Sequence, residues 1–295
     1  MKPTSFSTLL FFSMIIFVSL TSSAKKEEMQ LHLSIGQHYT YLITRENEVL
    51  GNSQVPGMSQ KMVLKIDHQV IDQLANGNYL IESSFKSFSI ILKNNGAVNR
   101  YTSDTVDVSN SMYKTLNFLT DIKLEYEISP KGVVKNISGF EPIMKKKETD
   151  NNFAPLFVDF GNEQFIVDLY NYFPVENVGV GDKWMRSGIL TKLNNLKYDI
   201  KYTLKEASDK NLKLNMDVSF RSLTEVPQAD GKVNKVNKTG TTKGELLVDQ
   251  KTGMLLSSDS NQHIEISLAN GTNPKEEKLP SLKVIDRTSI VLVKK

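Results

Sequence analysis

Two short stretches of this 295-residue chain hold residues at catalytic spacing. Ser111-Met112-Tyr113-Lys114 would set a lysine amine one helical turn from a serine hydroxyl, where the amine can take the proton of a nucleophile. Lys251-Thr252-Gly253 matches a second motif of the penicillin-recognising enzymes, in which K-T-G lies on a strand beside that serine. The third motif, S-D-N, does not occur between them, and here K-T-G falls where a hairpin must turn. A hydrolase is therefore kept only as a third reading.

The remaining reactive side chains are scattered. His32, His38, His68 and His263 form no H-E-x-x-H pair, His32 and His38 have no acidic partner at ligand spacing and His263 falls on the wet side of its strand, so no metal or cofactor is expected. There is no cysteine, which excludes disulfides, thiolate ligands, a cysteine nucleophile and a lipidated N-terminal cysteine. The formal net charge is +3, with lysines interspersed among acids. Lys145 to Lys147, the one basic run, is followed by Glu148 and reads as a solvated loop, so no nucleic-acid partner is expected.

The elements that must position these residues are strands. In "LKYDIKYTLKE", Tyr198, Ile200, Tyr202 and Leu204 alternate with Lys197, Asp199, Lys201, Thr203 and Lys205. "NLKLNMDVSFRS" continues with Leu212, Leu214, Met216, Val218 and Phe220 on one face, and a short polar break makes the two a hairpin. "DIKLEYEIS" alternates likewise, and in "QHYTYLIT" Tyr39, Tyr41 and Ile43 share a face. Parallel strands covered on both sides would read as continuous apolar runs, so the sheet is antiparallel with one wet side.

Four features recur in the same order along the chain. Gly36 precedes Tyr39 by three residues as Gly181 precedes Trp184, a hairpin follows each, the hairpins end in Phe85-Lys86-Ser87 and Phe220-Arg221-Ser222, and later turns fall at Ser129 to Gly132 and at Asp249 to Gly253. We read two pseudo-repeats, about 30–147 and 175–293, joined by a partly helical segment, 148–174. In that segment Phe165, Leu169, Tyr172 and Phe173 predict a helix capped by Asn162 and stopped by Pro174. A second short helix is predicted around Met112, Leu116 and Leu119, and residues 229–244 read as an exposed loop or a strand edge. The expected fold is mainly β: antiparallel sheet from two related halves, as a curved half-barrel or a sandwich, with one or two short covering helices.

Residues 1–24 have the grammar of a secretory signal: Lys2, an apolar stretch from Leu9 to Leu20, then small residues ending at Ala24. That apolar stretch is shorter than the roughly 20 residues a spanning helix needs. The expectation is an exported protein, periplasmic or extracellular and not lipid-anchored, whose mature chain 25–295 is one β-rich domain with no transmembrane segment.

Tyr172-Phe173-Pro174-Val175 leading to Val180-Gly181-Asp182-Lys183-Trp184, with the signal, Ile35-Gly36-x-x-Tyr39 and the Asn76-Gly77 hairpin, resembles an uncharacterised family of exported proteins from Bacteroidota. The resemblance implies an envelope location and a β-rich fold, and carries no activity. By analogy of architecture with periplasmic lipoprotein carriers, the apolar side of a curved sheet would bind a hydrophobic small molecule or lipid. Tyr39, Tyr41, Trp184, Tyr198, Tyr202, Met216 and Phe220 would line or close that side; the other reading of the same residues is ordinary core. The competing function is a packed envelope module that meets another protein. An apolar cavity above about 300 Å³ would separate the two.

Overall fold

The fold is that of a computed structural model, which describes residues 26–51, 57–105, 109–149, 163–190, 196–227, 233–270 and 281–293. The N-terminal signal expected at 1–24 lies outside them. The first part of the chain supplies β1 (His38–Leu50), β2 (Met58–Gln73), β3 (Tyr79–Asn94), β4 (Ala97–Thr102), β5 (Lys123–Ile128) and β6 (Val134–Ser138). The second supplies β7 (Lys183–Leu190), β8 (Leu196–Ala207), β9 (Asn211–Pro227), β10 (Val233–Asp249), β11 (Leu255–Asn270) and β12 (Leu282–Val293). Helices α1 (Ser111–Thr120), α2 (Glu141–Thr149) and α3 (Gln164–Asp168) lie between β4 and β5 and between β6 and β7.

All twelve strands form one antiparallel sheet in the order β6-β5-β3-β2-β1-β12-β11-β10-β9-β8-β7, with β4 paired to β3. The sheet is open, as β6 and β7 are its two edges. Its seam joins the first strand to the last, Thr40 opposite Val293 through Leu50 opposite Lys283. The continuous ladder makes one open sheet and not two separately hydrogen-bonded ones. Arg186 on edge strand β7 donates from Nε to Phe173 O at 2.6 Å and from Nη2 to Lys131 O, beyond β5, at 3.5 Å. The two ends of the sheet are thus drawn toward one another.

Alternation builds the core. Met62, Leu64, Ile66, His68 and Val70 on β2 are buried, and Ile81, Phe85, Phe88 and Ile90 on β3 face them from across the ladder. Outward residues between them carry charge, as with Lys61 Nζ, 2.8 Å from Glu46 Oε1 on the next strand. Two turns enter the sheet in the same way. Gly36 N donates to Val70 O at 2.8 Å and Val70 N to Gln37 O at 2.9 Å; Gly181 N donates to Leu204 O at 2.7 Å and Leu204 N to Asp182 O at 3.1 Å. Gly36 and Gly181 have φ of 80° and 94°, a conformation open to glycine at little cost.

One end of the sheet is plugged. Met29 and Leu31 are buried; Leu31 N donates to Pro130 O at 2.7 Å and His32 N to Thr252 O at 2.9 Å, so the N-terminal segment ties a turn of each half. Helix α1 forms where Met112, Leu116 and Leu119 recur, and Asn110 caps it by accepting from Met112 N at 2.8 Å. The segment after α2 needs correction. Only Gln164–Asp168 is helical, Glu163 stands at its N-cap without a side-chain bond, 169–172 are turns, and Leu169, Tyr170, Tyr172 and the following Phe173 are buried. Asn162 lies outside the described residues.

Two expected loops are regular elements. Lys145 to Lys147 belongs to α2, which Phe140 and Ile143 anchor in the core, and Lys146 Nζ sits 4.9 Å from the centre of the Phe118 ring. Residues 233–249 form β10, an interior strand paired on both sides. Its threonines, lysines and asparagines give little apolar signal, and the ladder to two long neighbours overrides that local composition. Among the described residues no helix is long and apolar enough to cross a membrane.

Candidate functional site

On the inner face of β8 to β12 and β1, an open cavity of about 280 Å³ lies between the sheet and α3. It falls just short of the roughly 300 Å³ expected above of a hydrophobic-ligand site, and has room for one slender ligand and not a bulk load. The sheet register orders its floor in rows, because residues opposite one another share a face. Leu246, Ser258, Ile290 and Ile43 make one row; Met216, Gly244, Ser260, Thr288 and Arg45 the next. Val218, Thr242, Gln262 and Asp286 make the third, followed by Phe220 and Gly240. Tyr172, Leu169 and Phe165 form the wall from α3 and the turns behind it.

Three glycines shape this floor. A Cβ on Gly240 would land on the Phe220 ring, one on Gly188 on the Tyr198 ring, and one on Gly244 would come 2.9 Å from Met216 Cε. Each glycine faces its bulky neighbour across a strand pair, so that side chain lies over the bare backbone.

The polar atoms are concentrated in the middle rows. Arg45 Nε donates to both carboxylate oxygens of Asp286, at 3.0 and 2.7 Å, and Arg45 Nη2 donates to Asp286 Oδ2 as well. Asp286 is buried while the Arg45 side chain keeps 23% of its surface accessible. Gln262 Nε2 donates to Thr242 Oγ1 at 3.0 Å. At the mouth, Asp168 Oδ1 accepts from Gln164 Nε2 at 2.7 Å and from the Tyr198 hydroxyl at 3.4 Å. Asp168 is an exposed residue whose carboxyl is pushed up to about 6 by desolvation, against the lowering effect of its bonds from Gln164 and Tyr198. Burial raises the Tyr198 and Tyr202 phenols far above the range in which they ionise in water.

Of the seven aromatic and thioether residues singled out from sequence, Tyr198, Tyr202, Met216 and Phe220 line the cavity. Tyr39, Tyr41 and Trp184 lie outside its lining. Trp184 stacks on the back of Tyr202, 5.7 Å between centroids, and donates from Nε1 to Tyr172 O at 3.1 Å. Tyr39 and Tyr41 are buried in the first half, where the Tyr39 ring stacks on His68 at 4.9 Å and its hydroxyl lies 2.9 Å from that of Tyr170. Sequence reasoning missed Arg45, Asp286 and the polar face of β11 formed by Ser258, Ser260 and Gln262. Arg45 continues the Tyr39, Tyr41, Ile43 face by the same period of two, which was the available signal.

The reactive residues do not converge. Ser111 and Lys114 are exposed on α1, which packs on β3 and β4, while Lys251-Thr252-Gly253 is the turn between β10 and β11. His68 Nδ1 lies 2.6 Å from Ser83 Oγ, yet both residues are enclosed at 1% exposure and neither lines the cavity. His32, His38 and His263 are exposed, and no metal-holding group of histidines and carboxylates occurs among the described residues.

Comparison with known proteins adds a family and a fold. The sequence model of a family of unknown function, DUF6263, matches residues 76–255. No curated protein matches the chain by sequence. Among solved structures, one described as lipid-protein interactions in lipovitellin aligns with a TM-score of 0.52 at 11% identity over 89% of this chain. This chain spans 26% of that one, and the likeness is one of fold. A Salmonella typhi OmpF complex with daunomycin aligns at 7% identity over 87% of this chain and 97% of its own, with a TM-score of 0.17 that carries no argument.

Proposed function

The chain belongs to the DUF6263 family, whose function is unknown, and we propose that it is a binding protein for one hydrophobic ligand held on the inner face of its open sheet. The observation that carries this reading is the cavity itself, floored by Ile43, Leu246, Phe220 and Ile290 and walled by Phe165, Leu169 and Tyr172. The cleft is open to solvent and its lining is mostly apolar, with a few polar groups in the middle rows, as a small-molecule site requires. The lipovitellin structure, named for lipid-protein interactions, supports the reading at the level of architecture.

The same proposal includes export to an envelope or extracellular space, membership of a Bacteroidota group, and descent of the two halves from one ancestor. The paired hydrogen bonds at Gly36 and Gly181 support that last point. Docking to another envelope protein is the second reading, favoured by Ile35, Val175 and Val180, which stand 63%, 76% and 52% exposed.

The test is native mass spectrometry of gently purified protein together with titration of Nile red, an uncharged apolar dye. One adduct lost on unfolding, and saturable dye binding that Met216→Trp weakens at least tenfold, are expected, since the indole would occupy the cavity. A clean protein mass with no saturable dye binding would sink the proposal.

A further inference from the structure

The charges around the cavity restrict what its ligand can present. Among the described residues lining it, the cation is Arg45 and the anions are Asp168 and Asp286. The Arg45 guanidinium is committed to Asp286 through Nε and Nη2. A carboxylate or phosphate entering here would meet a cation already neutralised and a second aspartate at the mouth. Burying an anion without a partner is costly, and juxtaposing like charges adds to that cost.

Hydroxyl chemistry is supplied in the same place. Ser258, Ser260 and Thr288 offer hydroxyls that both donate and accept, and the Thr242 and Gln262 pair adds an amide oxygen. Ser260 and Thr288 share the row of Arg45, and Thr242 and Gln262 share that of Asp286 and Val218; Ser258 stands in the neighbouring row of Ile43, Leu246 and Ile290, and Phe220 lies beyond on the other side. An apolar strip beside a neutral polar band matches a molecule with an aliphatic tail and an uncharged polar head. The volume of about 280 Å³ limits it to one chain.

Resting on the binding-protein reading above, we propose that the cavity takes an electroneutral, hydroxyl-bearing amphiphile with a single aliphatic chain, of the class of a monoacylglycerol, and discriminates against the fatty-acid anion. Its tail lies along Ile43, Leu246 and Leu255, and its hydroxyls meet Ser260, Thr288 and Gln262 beside the ion pair.

Displacement of Nile red from the full chain by monolaurin and by laurate, below their micelle concentrations at pH 8, tests this directly. Monolaurin is expected to displace the dye at least about tenfold more tightly than laurate. Asp286→Asn, which deprives the guanidinium of its carboxylate, is expected to reduce that preference about tenfold by improving laurate. Should Asp286→Asn fail to fold, Asp168→Asn, outside the ion pair, is expected to narrow the preference in the same direction.

Laurate binding as tightly as monolaurin to the wild-type protein overturns the proposal, as does an unchanged preference in a folded variant. Dye binding that neither compound displaces overturns it too, while leaving a hydrophobic ligand site in place. Failure of the dye itself to bind counts instead against the binding-protein reading.

Discussion

His68 is the residue whose chemistry departs furthest from its sequence appearance. It is a polar residue on the inward face of β2, in step with Met62, Leu64, Ile66 and Val70, and its ring is buried between Tyr39 and Tyr41, with Ser83 Oγ and the Tyr126 hydroxyl at Nδ1, 2.6 and 3.0 Å away. Nothing among the described residues bonds Nε2, so a second proton there would have neither partner nor water. Burial accordingly pulls the imidazole down to about 3. The unfolded chain binds a proton near pH 6.5 that the native chain refuses, so stability is present above that pH and is lost as pH falls toward 3. By pH 4 the loss is about 3 kcal/mol. Urea midpoints at pH 7 and pH 4 check this: His68→Phe should lose distinctly less stability than the wild type over that interval. Parallel losses would assign the acid sensitivity to other groups.

Elements were readable from sequence where their residues alternate cleanly, as in β5, β8 and β9, and unreadable where a neighbour supplied the reason for the strand. β10 shows why. Gly240 and Gly244 look like loop residues, but each sits opposite a bulky side chain that needs bare backbone beneath it, Phe220 and Met216 respectively. Gly240→Val should therefore displace the Phe220 ring, destabilise the fold by about 1–3 kcal/mol and weaken dye binding. Combining it with Phe220→Ala should cost less than the sum of the two single changes, because the clash is removed. Strict additivity in denaturant midpoints would show that the ring does not rest on Gly240. The α3 region differed for a related reason: near-helical spacing of Leu169, Tyr172 and Phe173 reflects burial of consecutive turns under the sheet, which a helix pattern mimics.

The whole molecule depends on contacts between distant parts of the chain. β1 pairs with β12, and residues 26–34 connect the Pro130 turn to the Thr252 turn. Leu31 is 1% exposed at that junction, so Leu31→Ala should cost about 2–5 kcal/mol. Because it ties both halves, urea unfolding of the variant followed by far-ultraviolet circular dichroism and by Trp184 fluorescence should still coincide. Trp184 reports the second half, so a fluorescence transition separated from the loss of β-structure would show that the halves unfold independently.

The sequence by itself determined strand character, the one-sided burial of the sheet, the hairpin turns and the positions of Tyr198, Tyr202, Met216 and Phe220 on the apolar face. These follow from side-chain period and turn chemistry, which are local properties. Only the tertiary structure decided that twelve strands form one open sheet, that Trp184, Tyr39 and Tyr41 pack away from the cavity, and that Arg45 meets Asp286. Those outcomes depend on register between strands far apart in sequence, and a shift of one residue would turn every such side chain to the other face.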